Sequence, residues 1–180
     1  SGRVTGVQTC ALPISLIKEQ EIQRQIQKTG QQISKDYKGK DLVLLGVLKG
    51  SFIFLADLTR KISIDHEIDL IGASSYEGTS STGQILFTKQ PDLELKDRDV
   101  LLVEDIVDTG NTLLKIIEFI TLLDPRSIKI CSLIDKRERR EVKIDVDYSC
   151  FSLEKGFIVG FGLDYNEKYR NLPAIYDLKL

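Results

Sequence analysis

The sequence contains no methionine, no tryptophan and a single histidine, His66. Ser-His-Asp catalysis, Cys-His catalysis and zinc sites rich in histidine would all have to use this one residue. His66 lies in the acidic stretch IDHEI, where we expect a strand to begin, and no catalytic partner pattern surrounds it. We therefore interpret it as a surface histidine, and these classes of protein are disfavoured.

Three cysteines, Cys10, Cys131 and Cys150, are far apart, form no C-x-x-C pair and cannot all be joined in disulfides. The expectation for such a set is a reducing compartment, the cytoplasm. No apolar run approaches the ~20 residues that cross a bilayer, so we expect no membrane association. The 25 basic and 27 acidic residues nearly cancel, which argues against a nucleic-acid partner.

Residues 1–14 differ in character from the rest of the chain. They show no amphipathic period, and they lack the basic start and the apolar core of a signal peptide. The run from Val4 to Ile14 resembles the translation of a common sequencing-adapter oligonucleotide. We expect residues 1–14 to be a non-native leader and residues 15–180 to form one domain.

From residue 15 onward, helical and apolar stretches alternate. Isoleucines at helical spacing predict a helix over residues 18–37. Apolar runs predict strands that are covered on both faces, and helices follow two of them. This alternation predicts an α/β fold, a parallel twisted sheet flanked by helices, with ligands at the carboxyl ends of the strands. The strands are expected at 42–48, 67–73, 100–103 and 127–134, and the two further helices at 52–58 and 113–120.

The loop at residues 74–83 is long and polar and contains two glycines. Its composition fits a plain surface loop and a mobile lid equally well.

The stretch from Val103 to Thr112 has the strongest chemical pattern. Three carboxylates, Glu104, Asp105 and Asp108, follow a buried strand, where clustered like charges cost free energy. Such carboxylates suit a hard cation or sugar hydroxyls. Thr109-Gly110-Asn111-Thr112 opens a helix whose free N–H groups suit a phosphate monoester. A single residue of this kind could simply cap the helix, but the whole pattern favours a ribose-phosphate site.

The stretch VLLVEDIVDTGNTL, residues 100–113, resembles the phosphoribosyl-diphosphate signature of the type I phosphoribosyltransferases. Four more motifs narrow the resemblance to the bacterial form of the hypoxanthine(-guanine) branch. These motifs are LKGS at 48–51, SY at 75–76, LIDK at 133–136 and FIVGFGLDYNE at 157–167. The resemblance covers about residues 15–180. It implies a small hood over the active site, and transfer of 5-phosphoribosyl from its 1-diphosphate to N9 of a 6-oxopurine.

The resemblance also implies the roles of individual residues. Asp108 would be the general base. The ribose and its 5′-phosphate would be held by Glu104, Asp105, Asp108, Thr109, Gly110, Asn111 and Thr112. Pyrophosphate would be held by Lys49, Gly50 and Arg170, with a non-proline cis bond at Leu48-Lys49. The purine would be read by Lys136, Phe157, Ile158 and Asp164, and the lid would carry Ser75 and Tyr76. Mg²⁺ would be bound by Glu104, Asp105 and Asp164.

Several of these residues also have ordinary structural interpretations. Phe157 could be a core residue, Lys136 could begin a solvated charge run, and Asp164 could belong to a turn. Family members often carry proline and an acidic residue where this chain has SLEKG at 152–156, which leaves the preference among hypoxanthine, guanine and xanthine open. Asn111 also replaces a lysine found in some relatives.

Two other functions remain as alternatives. One is a non-catalytic sensor of phosphoribosyl diphosphate, and the other is a sister enzyme that uses another base. The partners implied are small-molecule substrates, together with a second copy or further copies of the chain in a homodimer or homotetramer.

Overall fold

The computed structural model describes residues 14–75 and 85–179 of the 180-residue chain. Its elements, in order, are β1 (Ile14–Ile17), α1 (Glu19–Asp36), β2 (Leu42–Leu48), α2 (Phe52–Thr59), β3 (His66–Ser75), β4 (Ile85–Lys89), β5 (Asp99–Val107), α3 (Asn111–Thr121), β6 (Ser127–Lys136), β7 (Tyr148–Leu153), β8 (Ile158–Val159) and β9 (Ile175–Asp177). Every helix and strand predicted from the sequence is present, with shifted ends.

Six strands form the main sheet, in the order β4-β3-β2-β5-β6-β7. All neighbouring strands in it are parallel except β3 and β4, which pair antiparallel. The prediction of a parallel α/β sheet is therefore confirmed, and β4 adds an antiparallel edge that the apolar pattern did not predict. Mixed sheets of this kind are common among α/β folds.

A second sheet of three antiparallel strands, β1-β9-β8, shares no hydrogen-bonded strand pair with the main sheet but packs in the same hydrophobic core as Leu101 and Val103, and we refer to it as the hood. Its first strand begins at Ile14, which pairs with Asp177 across the sheet. The sequence predicted a leader over residues 1–14 and a domain from residue 15. The regular structure therefore starts one residue earlier than this prediction, at Ile14. Residues 1–13 lie outside the described part of the chain.

Alternating side chains of β5 supply two hydrophobic cores, one on each face of the main sheet. Leu101 and Val103 pack in a core with α1 and α2, whereas Val100 and Leu102 pack in a core with α3. This division follows from the two-residue period of a strand. Because both faces of the sheet are covered, consecutive residues of a strand are apolar, as expected of buried parallel strands.

Helix α1 is held to the sheet by its isoleucines. Ile22, Ile26 and Ile33 are fully buried, in agreement with the spacing that predicted the helix. Glu19 in the first turn and Lys35 in the last turn have the signs that the helix dipole favours.

Histidine and cysteine have structural surroundings. His66 is half-buried at the start of β3, with Nδ1 2.7 Å from the Ile64 carbonyl oxygen and Nε2 2.7 Å from Oγ1 of Thr59. Cys131 and Cys150 are buried and free. No helix within the described ranges is long and apolar enough to cross a membrane.

Candidate active site

The carboxyl ends of β2, β5 and β6 lie side by side, because these strands are parallel neighbours. The loops that carry the sequence motifs therefore meet at one edge of the sheet. β5 is longer than the predicted strand at 100–103. It continues for four residues beyond Val103, so that Glu104 and Asp105 are part of the strand. Their apolar neighbours Ile106 and Val107 keep the backbone extended along β6.

The loop after β2 begins with a cis peptide bond between Leu48 and Lys49, as the resemblance implied. Gly50 follows, and it packs directly on Asp105: a Cβ atom at position 50 would lie 1.9 Å from Oδ2 of that carboxylate. Only glycine permits this approach. The contact places the backbone of Lys49 and Gly50, the expected pyrophosphate cradle, against one of the expected ribose ligands.

Glu104 and Asp105 form a coupled acidic pair. Burial, followed by the neighbouring charge of Asp105, holds the pKa of Glu104 well above its usual range. Burial also raises the pKa of Asp105, although hydrogen bonding and the charge of Arg170 oppose this. Two desolvated carboxylates in contact disfavour each other's ionised form. A cation bound between them would reverse this effect.

No group of three or more histidine, cysteine, aspartate or glutamate residues within ranges 14–75 and 85–179 is arranged as a metal cage. Mg²⁺, however, usually keeps several waters and binds through one or two carboxylates together with substrate phosphates. The donor set of Glu104 and Asp105 fits this mode of binding. The third expected ligand, Asp164, has its Oδ1 3.4 Å from Nη2 of Arg170, while its Oδ2 accepts a hydrogen bond from the backbone of Glu167.

The segment from Asp108 to Thr112 leads into α3, which begins at Asn111, as predicted. Gly110 precedes the helix with φ of 86°, a left-handed conformation that favours glycine. A cavity of about 150 Å³ opens here, and the residues that line it are Glu104, Ile106, Val107, Asp108, Thr109, Gly110, Thr112 and Leu113. Free N–H groups at the start of α3 and two threonine hydroxyls suit this cavity to an anion. The Asn111 side chain turns instead to Glu141, to which it donates a hydrogen bond.

Asp108, which directly follows β5, and Lys136, at the end of β6, are brought together. Lys136 is the last residue of β6, and its side chain is only 10% exposed. Its Nζ lies 3.9 Å from Oδ2 of Asp108, whereas Oδ1 of Asp108 is buried and has no hydrogen-bond partner among the described residues. The interpretation of Lys136 as part of a solvated run is therefore wrong, although it holds for Arg137, which is 76% exposed.

Two of the expected purine residues, Phe157 and Ile158, lie at the edge of the hood. Phe157 is 44% exposed, which excludes the interpretation as a core residue, and its ring meets that of Tyr165 edge to face at 5.5 Å. Ile158 is buried at the start of β8. An exposed aromatic ring held by a second ring is suited to stacking on a flat ligand.

Glu167 connects the two cations expected at the pyrophosphate site, and neither the sequence pattern nor the resemblance gave it a role. Its Oε2 lies 2.9 Å from Nζ of Lys49, and its Oε1 lies 3.4 Å from Nη2 of Arg170. The Lys49 ammonium lowers the pKa of Glu167. Arg170 also donates to the carbonyl oxygen of Gly162, and a Cβ atom at position 162 would lie 2.1 Å from the Gly50 carbonyl oxygen. Charge and close packing thus bring Lys49, Gly50 and Arg170 together, and signals of this kind are not visible in the sequence.

The expected lid falls mostly outside the described residues. The backbone of Ser75 ends β3, and Tyr76 lies in the range 76–84 that the structure does not describe.

A family model described as a phosphoribosyl transferase domain matches residues 15–166. The chain therefore belongs to the phosphoribosyltransferase family, as the resemblance of its motifs indicated.

Relatives narrow the family further. The hypoxanthine phosphoribosyltransferase of Escherichia coli K12 is 47% identical over 163 residues, which cover 89% of this chain and 92% of that protein. The hypoxanthine-guanine phosphoribosyltransferase of Streptococcus pyogenes serotype M3 is 46% identical over 165 residues, 91% and 92% of the two chains. The crystal structure of a hypoxanthine-guanine phosphoribosyltransferase from Bacillus anthracis matches with a TM-score of 0.87 at 42% identity and covers 92% of this chain and 98% of that one. The chain thus falls in the hypoxanthine(-guanine) branch.

Proposed function

We propose that this protein transfers the 5-phosphoribosyl group from phosphoribosyl diphosphate to N9 of hypoxanthine and guanine, with Mg²⁺ as cofactor. The products are IMP or GMP and pyrophosphate, which makes the protein a purine salvage enzyme. The observation that carries the proposal is the buried Oδ1 of Asp108, beside Lys136 and the cavity at the start of α3, which no described residue hydrogen-bonds.

Asp108 is the proposed general base. In the reaction, N9 of the purine forms a bond to C1′ of the ribose while the bond from C1′ to the diphosphate oxygen breaks. The purine then carries one proton too many, and Asp108 accepts it from N7. Its Oδ1, which accepts no hydrogen bond from residues 14–75 or 85–179, is available for this proton.

Lys136 is the proposed reader of the purine. Its ammonium would donate a hydrogen bond to the exocyclic O6 of hypoxanthine or guanine. Adenine presents an amino group at that position, so Lys136 would face another donor and both groups would lack an acceptor. Phe157 would stack on the ring, and the backbone of Ile158 would meet its edge.

The remaining residues hold the phosphates and the ribose. Backbone groups from Asp108 to Thr112 receive the 5′-phosphate. Lys49, Gly50 and Arg170 bind the pyrophosphate. Glu167 releases its ion pairs with Lys49 and Arg170 when the pyrophosphate binds. Glu104 and Asp105 hold the ribose hydroxyls and one Mg²⁺, and Asp164 holds a second. Bound Mg²⁺ supplies positive charge that stabilises the departing pyrophosphate.

Lid, location and assembly complete the proposal. Ser75 and Tyr76 would close over the substrates and exclude water, which protects the diphosphate from hydrolysis. The free thiols of Cys131 and Cys150 suit the cytoplasm. We propose that the chain forms a homodimer or homotetramer. The molar mass of the purified protein, measured by light scattering, would test this.

The deciding experiment is a spectrophotometric assay with phosphoribosyl diphosphate, Mg²⁺ and one base at a time: hypoxanthine, guanine, xanthine or adenine. We expect turnover of hypoxanthine and guanine that a chelator abolishes, and no turnover of adenine. Asp108→Asn should lower kcat at least ~100-fold, because a general base contributes about 10² to 10⁴. Asp124→Asn is the matched control, because Asp124 is exposed and has a left-handed φ of 57° that asparagine also tolerates.

Two outcomes would contradict the proposal. Binding of phosphoribosyl diphosphate without turnover of any base would indicate the non-catalytic sensor. Turnover that survives Asp108→Asn would remove Asp108 from the role of general base.

A further inference from the structure

The side chain of Arg140 is turned inward, although it lies in a run of charged residues. It is 14% exposed, whereas Arg137 and Arg139 in the same run are 76% and 65% exposed. Burial of a guanidinium is costly unless every donor finds an acceptor. The partners of Arg140 therefore indicate what the buried charge does.

Arg140 donates to the last carbonyl oxygens of β5 and to the loop that follows. Its Nη2 lies 3.0 Å from the Val107 oxygen, and its Nε lies 2.9 Å from the Asp108 oxygen. A longer contact of 3.4 Å joins Nη2 to the carbonyl oxygen of Lys136, at the end of β6. Nη1 donates to the Ile144 oxygen at 3.0 Å. One rigid, planar group thus spans the end of β5, which Asp108 follows, and the end of β6, which carries Lys136.

Asp135 anchors this guanidinium. Its side chain is 3% exposed, and its Oδ1 accepts from Nη2 of Arg140 at 2.6 Å. In the sheet, Asp135 lies opposite Val107, so the carboxylate is fixed between the same two strand ends. A charge pair with so little exposure is weak evidence for stability alone, since well-packed apolar residues often stabilise a protein equally well. Its geometry is better suited to holding particular groups in place.

The residues after Arg140 also brace the phosphate loop. The backbone N–H of Glu141 donates to the Thr109 carbonyl oxygen at 3.0 Å, and its carboxylate accepts from the Asn111 side chain. A Cβ atom at position 110 would lie 2.7 Å from Cγ2 of Val142 and 3.4 Å from Cδ of Arg140. Gly110 therefore packs against this segment, in the way that Gly50 packs against Asp105.

We propose that Arg140, anchored by Asp135, is a positioning residue that fixes Asp108 and the 5′-phosphate loop relative to Lys136. This inference rests on the proposed function, because it assigns Arg140 the task of aligning the proton acceptor with the group that reads O6. Arg140 touches neither substrate. It acts through the carbonyl oxygens of Val107 and Asp108, and so it controls the phosphate half of the site. The pyrophosphate half, with Lys49 and Arg170, is independent of it.

The test compares Arg140→Gln and Asp135→Asn with Arg137→Gln in the full chain. Arg137 is the matched control because it pairs with the same carboxylate, Asp135, at 2.9 Å but contacts none of the carbonyl oxygens. Calorimetry with Mg²⁺ present would measure binding of IMP and of pyrophosphate separately, and the assay would give kcat with hypoxanthine. Thermal unfolding of each variant would show the folded fraction at the assay temperature.

For Arg140→Gln we expect IMP binding weakened about 10-fold and kcat lowered about 10-fold, with pyrophosphate binding within about 2-fold of the original protein. Asp135→Asn should follow in the same direction, and Arg137→Gln should leave all three values unchanged. Arg140→Lys should recover little, because an ammonium cannot make the fork of hydrogen bonds that a guanidinium makes. Added guanidinium ion at millimolar concentration should partly restore an Arg140→Ala variant.

Two results would overturn the inference. One is unchanged IMP binding and kcat in Arg140→Gln. The other is an equal loss of IMP and pyrophosphate binding that follows the unfolded fraction, which would make Arg140 a stabilising residue only. Failure of the proposed function would look different, because the original protein would then turn over no purine at all.

Discussion

Gly50 and Asp105 are the two single residues whose packing is most constrained. The carboxylate of Asp105 occupies the space that any side chain at position 50 would need. A methyl group in place of the glycine hydrogen at position 50 would therefore displace the Asp105 side chain of the neighbouring strand β5. Its effect should be chemical more than structural, because Asp105 is an expected ribose ligand.

We expect Gly50→Ala to lower kcat/KM for phosphoribosyl diphosphate at least ~100-fold, since displacement of a positioned group by about 1 Å can cost this much. Steady-state kinetics would measure the change. Gly39→Ala is the comparison, because a Cβ atom at position 39 meets nothing within 4 Å, although its φ of 75° disfavours alanine. That variant should lose about 1–2 kcal/mol of stability and keep its activity. Equal kinetics in the two variants would contradict the expectation.

The run from Lys136 to Arg140 shows which features of single residues the sequence conceals. Five charged residues in succession are typical of a solvated surface, and Arg137 and Arg139 conform to this. Lys136 is buried beside Asp108, and Arg140 is mostly buried because its guanidinium meets the carbonyl oxygen of Val107 at the end of β5. These surroundings come from other parts of the chain. The resemblance to a family could place Lys136 in the site, but it carried no role for Arg140 or Asp135.

Among the elements, β3 and the turn after β4 are joined by Asp69. This residue is 7% exposed, and it accepts hydrogen bonds from the backbone N–H groups of Leu70, Asp92 and Leu93. Burial alone would raise the pKa of Asp69, but these hydrogen bonds, aided by Lys89, outweigh burial and lower the pKa below its ordinary value of 3.8. The ionised carboxylate therefore holds the chain that leaves β4 against β3.

This lowered pKa predicts how stability depends on pH. A carboxyl group with a depressed pKa in the folded state stabilises the fold above its ordinary pKa, and the contribution disappears as pH falls through the folded value. Asp69→Asn should lower the free energy of unfolding by about 1–3 kcal/mol at neutral pH. The difference from the original protein should shrink below the ordinary value of 3.8. Urea unfolding across this pH range would measure it, with the exposed Asp145→Asn as control. A difference that stays constant with pH would refute the assignment.

The elements also show where apolar patterns reach their limit. The four apolar residues from Val100 to Val103 predicted a strand, but the ladder with β6 carries β5 on to Val107. The hydrophobic pattern detects only strand residues that are buried on both faces. Polar residues at the end of a strand are therefore interpreted as a loop. Pairing between Glu104 and Ser132 continues the strand even though its side chains have become acidic. For the same reason, the short strand β4, with its alternating exposure, was missing from the prediction.

At the scale of the whole molecule, the hood is the part that composition and spacing could not predict. Its strands have four, three and two residues, too few for any period to be detected. They are brought together from opposite ends of the chain, so only a family resemblance could suggest them. The main sheet, by contrast, was evident from its long apolar strands. The candidate site was likewise predictable only in part. Its acidic strand end was recognisable from the sequence, whereas the close contacts of its glycines were not.

The hood predicts unequal effects of two deletions. Removal of residues 1–17 takes away β1, exposes β9 and loses Ile17, which is 5% exposed. This should cost about 3 kcal/mol, from one buried isoleucine and the strand's hydrogen bonds. The KM for hypoxanthine should rise more than that for phosphoribosyl diphosphate, because β9 supports β8 and Ile158. Removal of residues 1–13 is the matched control and should leave β1 intact. Equal stability of the two deletions would show that β1 contributes nothing.

The pairing of β1 with β9 also has a mechanical consequence. Ile14 faces Asp177 and Ile17 faces Ile175, so both chain ends leave the hood at the same end of a two-stranded ribbon. A force that pulls these ends apart would load the cross-strand hydrogen bonds one after another and unzip the ribbon at low force. The six-stranded sheet would come under tension only afterwards. A protease or translocase that engages either end would therefore unfold the edge proposed to read the purine first, and it would meet its main resistance at the half proposed to bind the phosphates.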